Sequence, residues 1–413
     1  MQTFPTIGTL TRTFWRVKRY FGGIIPLPGL FLVANNDQAG RLGIVSSSPL
    51  RCKILTPAGQ KQIIGNDCTF MPITIKDVAR ESGVNTSTVS RALNNGYGVN
   101  DETRKHVIAV AARLSYRPNR VARGLVTGRS HSLALVLSDI RNPFFAEVAR
   151  GAEDAARSGK CDLVLCNSDL NADKQMQYVQ SLLEKRIDGI LMNSVSMLNQ
   201  EQQAQLMASG VPIVLLNRST SNHTFSTVCA DNESGGALAA KYLLDLGHRK
   251  IAHLTGPRQH GNLTDRARGF VRALHTAANP VQPTVLHGKF NFAGGAELTR
   301  KLLDEHPDIT AVFAANDVMA FGVVRAALDR GLRIPQDLSL IGFDNIEFSG
   351  IVHPPLTTIH QPKYEMGHAA VEILLRMARD KEKQTPEHRL LGVELIERES
   401  CRRQLTEPDA HSG

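Results

Sequence analysis

The segment Ile73–Asn95, ITIKDVARESGVNTSTVSRALNN, decides how the rest of this chain is interpreted. Thr74 and Asp77 have the spacing of a helix capping box, with Asp in the place usually taken by Glu. Gly83 suits the left-handed position that ends a helix, and Asn85 suits the cap of a second one. Apolar residues recur at helical spacing in both halves. The segment therefore predicts two short helices joined by a tight turn.

The second helix carries a polar outer face. Its apolar residues face the first helix, and the side chains that point away are Thr86, Ser87, Ser90 and Arg91. Small hydroxyl groups and an arginine fit the DNA major groove, where they donate to phosphates and base edges. A solvated face on an ordinary helical hairpin is the alternative, so the surrounding sequence must decide.

The distribution of charge favours a polyanionic partner for this segment. The chain has a net charge of +9. Residues 71–130 hold ten Lys and Arg against four Asp and Glu, whereas residues 131–413 hold 30 against 33. A small basic module on a near-neutral body is typical of nucleic-acid binding.

Two further elements follow the basic helices. Asn100 suits the cap of a third helix, whose predicted buried positions are Val107, Ile108, Ala111 and Leu114. Pro118 then breaks the helical pattern. Asn119–Leu125 is basic and has the length of one short helix that is unstable alone. A plain linker and a hinge that becomes ordered on DNA are both open interpretations.

The remainder of the chain alternates short apolar runs with amphipathic helical patterns. This alternation predicts parallel sheet covered by helices on both faces, in two lobes because the units are too many for one compact sheet. The predicted strands are Leu133–Leu137, Asp162–Cys166, Gly189–Met192, Pro212–Leu216, Lys250–Leu254, Thr284–Leu286, Ala311–Ala314 and Ser339–Gly342. We expect Thr357–Pro362 to make the last crossing between lobes. A helix over Glu365–Met377 and a strand over Val393–Glu397 would then complete the first lobe.

Polar residues follow several of these strands, at the carboxyl ends where ligands of such sheets bind. They include the pairs Ser138-Asp139, Asn217-Arg218, Asn316-Asp317 and Asp344-Asn345. Amides, carboxylates and arginine beside aromatic rings suit a polyhydroxylated ligand. For each residue alone, a helix cap or turn is the alternative, most clearly for Asn316 and Asp317.

The sequence gives little support for catalysis, a metal site or a cofactor. The six cysteines are scattered, without a C-x-x-C pair or zinc-like spacing. The chain lacks a dinucleotide-binding glycine motif after a strand, a P-loop and a G-x-S-x-G motif. An enzyme is therefore the weakest hypothesis, and we predict no cofactor and no metal. No apolar run approaches membrane-spanning length.

Residues 1–70 match nothing that follows them. They are rich in Gly, Pro and Ser and lack periodicity, so we expect little stable structure. A basic flank and an apolar run allow an export signal as one interpretation. We favour Met71 as the natural start, with the upstream segment an artefact of start-site choice, and a functional extension as the alternative.

Residues 71–125 closely resemble the LacI/GalR family of transcriptional regulators. The matching pattern is T-I-K-D-V-A…S-G-V-N-T-S-T-V-S-R-A-L-N…V-N-D-E-T-R…L-S-Y-R-P-N-R-V-A-R-G-L. By this resemblance, the DNA bases are faced by Thr86, Ser87 and Arg91. The DNA backbone is faced mainly by Thr88, Ser90 and Asn94. The resemblance also implies a hinge helix whose DNA-contacting residues would be Asn119, Arg120, Ala122 and Leu125. Leu125 would wedge between bases at the centre of a palindromic site, which requires two copies of the chain.

The body is similar to the periplasmic sugar-binding-protein fold that this family carries, through N-P-F-F, L-x-x-G-H-R, D-R-x-x-G-F and A-N-D-x-M-A-x-G. The resemblance implies an effector cleft lined by Phe144, Phe145, Arg266, Asn316 and Asp344. Further candidates are Asn142, Arg218 and Phe290. Arg218 suits an interlobe salt bridge as well as a phosphate or carboxylate. The purine-repressor branch would have Arg in place of His260, so a sugar or sugar derivative is favoured over a purine.

Together these features predict a cytoplasmic α/β protein, with a small all-α helix–turn–helix domain (71–117) ahead of a hinge helix and linker (118–129). A two-lobed periplasmic-binding-protein-like body of doubly wound parallel sheets (130–400) would bind the effector and dimerise, and a polar tail (401–413) follows. We expect a homodimeric repressor whose affinity for a palindromic double-stranded DNA operator depends on a small carbohydrate. A solute-binding protein is the second hypothesis, although it has no use for residues 71–125.

Overall fold

The structure, a computed structural model, describes residues 73–118, 124, 128–193, 198–217, 224–258, 261–379 and 385–404. Ahead of them it gives the backbone of the short strands Ile25–Leu27 (β1), Leu30–Ala34 (β2), Leu42–Ser46 (β3), Lys53–Leu55 (β4) and Lys61–Ile63 (β5). β1–β2–β3 and β4–β5 pair antiparallel, within the segment predicted to have little stable structure. The interpretation of Met71 as the natural start stays a prediction.

The chain divides into two compact units between Pro118 and Asn119. The described part of the first contains the helices Ile75–Ser82 (α1), Thr86–Leu93 (α2) and Asp101–Arg113 (α3). Gly83, at φ 67°, ends α1, and the side chain of Asn85 accepts the Thr88 N–H at 2.7 Å to cap α2. The predicted pair of helices and its tight turn are confirmed.

A small apolar core joins these helices. Val78, Val89 and Val107, one from each helix, have no exposed surface. The prediction that Ile108 lies in this core is wrong, because Ile108 is 47 % exposed. With 3.6 residues per turn, Val107 shares its face with Val110, which is buried, while Ile108 is rotated off that face.

The second unit begins with a sheet that forms the first lobe. Its strands are Ser132–Leu137 (β6), Asp162–Asn167 (β7), Gly189–Asn193 (β8), Ile213–Leu216 (β9), Ser226–Ala230 (β10) and, much later in the chain, His388–Leu391 (β16). All are parallel, in the order β16–β10–β9–β8–β6–β7. One face is covered by Phe144–Ser158 (α4) and Lys363–Arg379 (α11), and the other by Ala172–Glu184 (α5) and Gln200–Ala208 (α6).

A second sheet of the same kind forms the second lobe. Its strands are Ile251–Thr255 (β11), Thr284–His287 (β12), Ala311–Ala314 (β13), Ser339–Asp344 (β14), Thr357–His360 (β15) and Glu394–Ile396 (β17), in the order β12–β11–β13–β14–β15–β17. Its helices are Asn232–Asp245 (α7) and Gly261–His275 (α8) on one face, with Phe292–Glu305 (α9) and Asp317–Asp329 (α10) on the other. The predicted class, two lobes of doubly wound parallel sheet, is confirmed.

The path between the lobes differs from the prediction at the end of the chain. The segment that follows β15 does cross to α11 in the first lobe, but it is not the last crossing, because the chain returns between β16 and β17. β17 pairs antiparallel with β15 and so completes the second lobe instead of the first. The strand that completes the first lobe is β16, whose polar, half-exposed sequence HRLL at a sheet edge gives little apolar signal.

Helices α7 and α8 cross in direct contact because each has a glycine at the crossing. A Cβ atom added to Gly236 would lie 2.0 Å from the carbonyl oxygen of Arg266, and one added to Gly269 would lie 1.9 Å from that of Glu233. Neither position admits a side chain. The close approach brings Arg266 of α8 against Asn232, the first residue of α7.

Candidate DNA interface and effector cleft

Helix α2 presents the predicted DNA-facing residues on its outer side. The exposed members are Thr86, Ser87, Arg91 and Asn94, and the half-buried ones are Thr88 and Ser90. The first turn of α2 contains no acidic residue. A helix N-terminus carries a partial positive charge, so this end of α2 and Arg91 together favour an anion. DNA contact by these residues stays a prediction that their placement supports.

Local hydrogen bonds fix the positions of the polar side chains on this outer face. Asn85 Oδ1 accepts from the Thr88 N–H at 2.7 Å and from the Ser87 hydroxyl at 2.6 Å. Arg91 Nη2 lies 3.5 Å from Ser87 Oγ, so most of its guanidinium is unused by the hairpin. Asn94 Nδ2 donates to the carbonyl oxygen of Ser90 at 2.9 Å. These bonds align the polar groups along one side of the helix.

Arg104, on the first turn of α3, forms hydrogen bonds to the end of α2 and the turn that follows it. It was not predicted as a site residue. Its guanidinium donates to the carbonyl oxygens of Ala92 (3.2 Å), Gly96 (3.0 Å) and Val99 (3.4 Å), and to Asn95 Oδ1 (3.2 Å). Carbonyl groups at a helix C-terminus lack intrahelical partners and attract cations. Among residues 71–130, Arg104 is one of ten Lys and Arg residues, and only its place in the motif V-N-D-E-T-R distinguishes it.

Several predicted site residues lie outside the described residues. They are the hinge residues Asn119, Arg120, Ala122 and Leu125, and the cleft candidate Arg218. The position of His260, used above to disfavour a purine, also lies outside them. Their roles stay predictions.

A cavity of about 390 Å³ lies between the lobes, at the carboxyl ends of their strands. Of the predicted effector residues, those that line it are Asn142, Phe145, Phe290 and Asn316. The other lining residues are Ser138, Asp139, Arg141, Leu170, Asn291, Phe292, Ala293 and Val318. Leu170 follows β7 and Phe290 follows β12, so both lobes contribute. This is the location expected for a ligand of an open parallel sheet.

The polar groups of the cavity are arranged by their own local bonds. Arg141 and Asp139 form a bidentate ion pair, with both N–O distances 2.9 Å. Asn142 Oδ1 accepts the Phe144 N–H at 3.0 Å, and Asn316 Oδ1 accepts the Met319 N–H at 2.9 Å. Asn316 therefore is a helix cap, the alternative raised above. Within the described residues its Nδ2 makes no hydrogen bond, so capping leaves its amide donors for a ligand.

Phe144 is placed differently from its neighbour. Its side chain is 3 % exposed and belongs to the core of the first lobe, not to the cavity lining. It meets Phe145 edge to face, with ring centroids 5.1 Å apart and an interplanar angle of 88°. This geometry is favourable for an aromatic pair and fixes the orientation of the Phe145 ring at the cavity.

Arg266 and Asp344 do not line the cavity but form part of a buried polar cluster at the end of β14. Arg266 is 2 % exposed and donates to Asn232 Oδ1 at 3.2 and 2.7 Å and to the carbonyl oxygen of Ala315. Its guanidinium carbon lies 3.4 Å from the centroid of the Phe343 ring. Burial lowers the pKa of Arg266 to about 10, although the nearby Asp344 opposes this shift.

Asp344 is 4 % exposed, and its Oδ1 accepts from Gln361 Nε2 at 2.6 Å. Burial raises the pKa of Asp344, and Arg266 acts in the opposite direction. The Asp344 backbone has φ 113°, a region that residues with a side chain rarely adopt. Such strain is typical of functional positions, and a contact of Asp344 with the effector stays a prediction.

Asp317 shows why a strand-end carboxylate need not be a ligand contact. It is fully buried, and it accepts from the N–H of Ile346 (2.9 Å) and from the hydroxyl groups of Ser349 (2.7 Å) and Thr358 (2.6 Å). Burial raises the pKa of Asp317, while these hydrogen bonds lower it. Its donors come from the loop after β14 and from β15, so it fixes the elements behind the cleft.

Known protein families match both the small helical unit and the two-lobed body of the chain. A model described as bacterial regulatory proteins, lacI family, matches residues 74–119, and a periplasmic binding protein-like domain matches residues 240–401. Catabolite control protein A of Priestia megaterium is 39 % identical over 308 residues, which span 74 % of this chain and 92 % of that relative. The chain belongs to the LacI family of bacterial regulatory proteins.

Other similar proteins are regulators as well. The transcriptional repressor PurR of Aliivibrio salmonicida is 38 % identical over 310 residues, 75 % of this LacI-family chain and 93 % of the relative. Among solved structures, the lac repressor dimer bound to operator and the anti-inducer ONPF matches with TM-score 0.73 and 30 % identity, covering 80 % and 100 % of the two chains. The transcriptional regulator CelR in complex with cellobiose matches with TM-score 0.61 and 30 % identity, covering 79 % and 99 %.

The described part of this LacI-family chain contains no helix with the length and apolar character needed to cross a membrane.

Proposed function

We propose that this LacI-family chain is a homodimeric transcriptional repressor that binds a palindromic DNA operator under the control of a small carbohydrate. One observation carries the proposal: the chain combines a recognition helix with an outward polar face and a two-lobed body with a cavity at its strand ends. The basic charge is concentrated around the first of these. Operator DNA is also the ligand named for the similar lac repressor structure.

The surface of each lobe supports a homodimer. On the edge strand β7 of the first lobe, Val164 is 41 % and Leu165 is 48 % exposed. On the second lobe, Phe348 is 49 % and Ile351 is 73 % exposed. Exposed large apolar side chains suit an association surface, and a second copy is the occupant that a palindromic operator requires.

The chemistry of the cavity favours a neutral polyhydroxylated effector. The charged members of its described lining, Asp139 and Arg141, neutralise each other. Asn142 and Asn316 offer amide groups, and Phe145 and Phe290 offer apolar ring faces. Carbohydrates present this combination of hydroxyl groups and flat apolar faces. The similar CelR structure holds cellobiose.

Regulation would follow from the difference in effector affinity between two arrangements of the lobes. Closure on the effector would shift the dimer interface, which would order or release the hinges at Asn119–Leu125 and change operator affinity. This role involves no catalysis, which agrees with relatives that are transcriptional regulators. A DNA-binding role of this kind predicts a cytoplasmic location, where bacterial DNA is.

Selection from a pool of randomised duplexes with the purified full-length chain tests the DNA part. The expected product is a palindromic consensus bound by two copies of the chain, and enrichment of no sequence or of an asymmetric one would contradict the proposal. A thermal-shift screen of the same protein tests the effector part, because a ligand that binds the folded state raises the unfolding temperature. Neutral sugars, sugar phosphates and purine bases form its three arms, and stabilisation by purines alone would overturn the carbohydrate assignment.

A further inference from the structure

Lys363, the first residue of α11, is a buried cation surrounded by carbonyl oxygens. Its side chain belongs to a residue that is only 7 % exposed. Its ammonium donates to the carbonyl oxygens of Asp344 (2.7 Å), Asn345 (2.9 Å) and Gln361 (3.3 Å). An ammonium has three N–H donors, so these acceptors satisfy it completely.

Two of these carbonyl groups belong to consecutive residues with positive φ. Asp344 has φ 113° and Asn345 has φ 51°, and neither is glycine. Each such residue costs free energy that the surrounding structure must supply. In this left-handed turn both carbonyl oxygens lie within hydrogen-bond distance of the ammonium, so the Lys363 contacts stabilise the strained conformation.

The ammonium also joins elements that belong to different lobes. Helix α11 packs in the core of the first lobe through residues such as Met366 and Ala370. Asp344 ends β14 in the second lobe, and Gln361 lies in the segment that crosses between them. Gln361 in turn donates to Asp344 Oδ1 at 2.6 Å, so the same contacts orient the Asp344 carboxylate.

Nearby carboxylates oppose part of the cost of burying the Lys363 cation. A lysine in the first turn of a helix is disfavoured by the helix dipole, and burial lowers the pKa of Lys363. The nearby carboxylates of Asp344 and Asp317 act in the opposite direction. The carboxylates of Asp344 and Asp317 therefore offset part of the cost that burial and the helix dipole impose on the Lys363 cation.

We propose that Lys363 is a positioning residue whose ammonium holds Asp344 and Asn345 in their left-handed conformation and thereby fixes the Asp344 carboxylate where the lobes meet. The consequence for regulation rests on the proposed function, since Asp344 is a candidate effector contact there. The structural claim does not rest on the proposed function, because it concerns only the conformation of the chain's own backbone.

Thermal unfolding of the full-length chain tests the claim. Lys363→Met keeps the length of the side chain and removes the ammonium, and it should lower the unfolding temperature by about 4 °C or more. An unchanged unfolding temperature would overturn the proposal.

Lys241→Met provides the matched control, because Lys241 is an exposed lysine on α7. It should leave the unfolding temperature unchanged. If Lys363→Met does not fold, Lys363→Ala prepared in methylammonium should give folded protein, and failure of both to fold would contradict the proposal.

Chemical rescue separates the ammonium from the bulk of the side chain. Methylammonium should raise the unfolding temperature of Lys363→Ala more than that of the wild type, because it can occupy the vacated site and donate to the same carbonyl oxygens. Tetramethylammonium, which has no N–H, should give no such difference, and equal effects of both salts on both proteins would refute the assignment. These measurements use neither DNA nor effector, so a failed operator selection and a failed Lys363 assignment remain distinguishable.

Discussion

Arg104 Nη2 donates to the carbonyl oxygen of Gly96 at 3.0 Å, which joins the third helix of the DNA-binding unit to the turn that ends its recognition helix. The same guanidinium reaches Ala92, Asn95 and Val99. A planar fork with five N–H donors can reach acceptors spread over several residues, whereas a lysine ammonium has three donors on one atom. We therefore expect Arg104 to affect DNA binding through the position of α2.

Arg104→Lys should weaken binding to the selected operator by about tenfold, because the end of α2 loses several charge-assisted hydrogen bonds. The charge is retained, so the dependence of log Kd on log salt should not change. Fluorescence anisotropy over a salt series measures both quantities. Lys105→Arg, a charge-preserving change at an exposed neighbour, is the control. Wild-type affinity for Arg104→Lys would show that positive charge alone is needed there.

Arg91→Ala tests the recognition face itself. Arg91 is exposed on α2, with only a 3.5 Å contact to Ser87 within the hairpin. Loss of a base-contacting arginine should cost about 1–3 kcal/mol of specific binding and broaden base preference at one position of each half-site. Repeated selection with the variant reads out both effects. Arg80→Ala, on α1 with a side chain that is 78 % exposed, should leave the consensus unchanged. An unaltered consensus with Arg91→Ala would exclude α2 as the base-reading element.

Leu125→Ala tests the proposed hinge wedge. A side chain that kinks the operator by entering the base stack contributes to specific complexes and little to non-specific ones. The variant should therefore lose affinity for the selected palindrome far more than for an unrelated duplex of equal length. Competition binding with both duplexes measures the ratio. An equal loss of affinity for the two duplexes would show that Leu125 has a general role in DNA binding and would refute the wedge.

The sequence predicted well what depends on local pattern. Cap residues and glycine at φ 67° placed α1 and α2, and alternating apolar runs placed most strands of both lobes. β10 was missed although all of it is buried, because Ser226 and Thr227 make its sequence STVCA look polar. Ser226 Oγ accepts the Glu387 N–H at 3.0 Å, a partner 161 residues away. Such pairing has no signature in a local window.

The candidate site was predictable in location but not in detail. Strand-end positions placed Ser138, Asp139 and Asn316 at one cavity, and the family resemblance added Asn142 and Phe290. The burial of Arg266 depends on the glycine-mediated crossing of α7 and α8, which periodicity does not reveal. Lys363 was not foreseen either, because its acceptors are backbone carbonyl groups created by positive φ in another part of the chain.

Gly269→Ala should destabilise the second lobe strongly. The added methyl group would lie 1.9 Å from the carbonyl oxygen of Glu233, so α7 and α8 would have to separate. Overpacking of this kind costs about 1–3 kcal/mol or more of the free energy of unfolding. Urea denaturation measures the loss. Gly261→Ala, at the start of the same helix with no atom near the added methyl group, should be neutral or slightly stabilising. Equal stabilities of the two variants would disprove the close crossing.

His253 should make the second lobe less stable in acid. It is fully buried, stacked on Phe313 with centroids 4.6 Å apart, and burial lowers its pKa from 6.5 to about 3. Between these values the unfolded chain binds a proton that the folded chain does not, so stability must fall as pH drops through this window. One such proton changes the free energy of unfolding by about 1.4 kcal/mol per pH unit.

His253→Phe preserves the aromatic stack and removes the titrating group. Urea denaturation at pH 6, 5 and 4 should therefore show a shallower acid loss for the variant than for the wild type, by about 1 kcal/mol per pH unit. The buried Asp317 and Asp344, whose pKa values are raised, contribute in the opposite direction in both proteins and cancel in the difference. Parallel pH profiles would mean that His253 is protonated in the folded state and that its ring is not shielded as the structure places it.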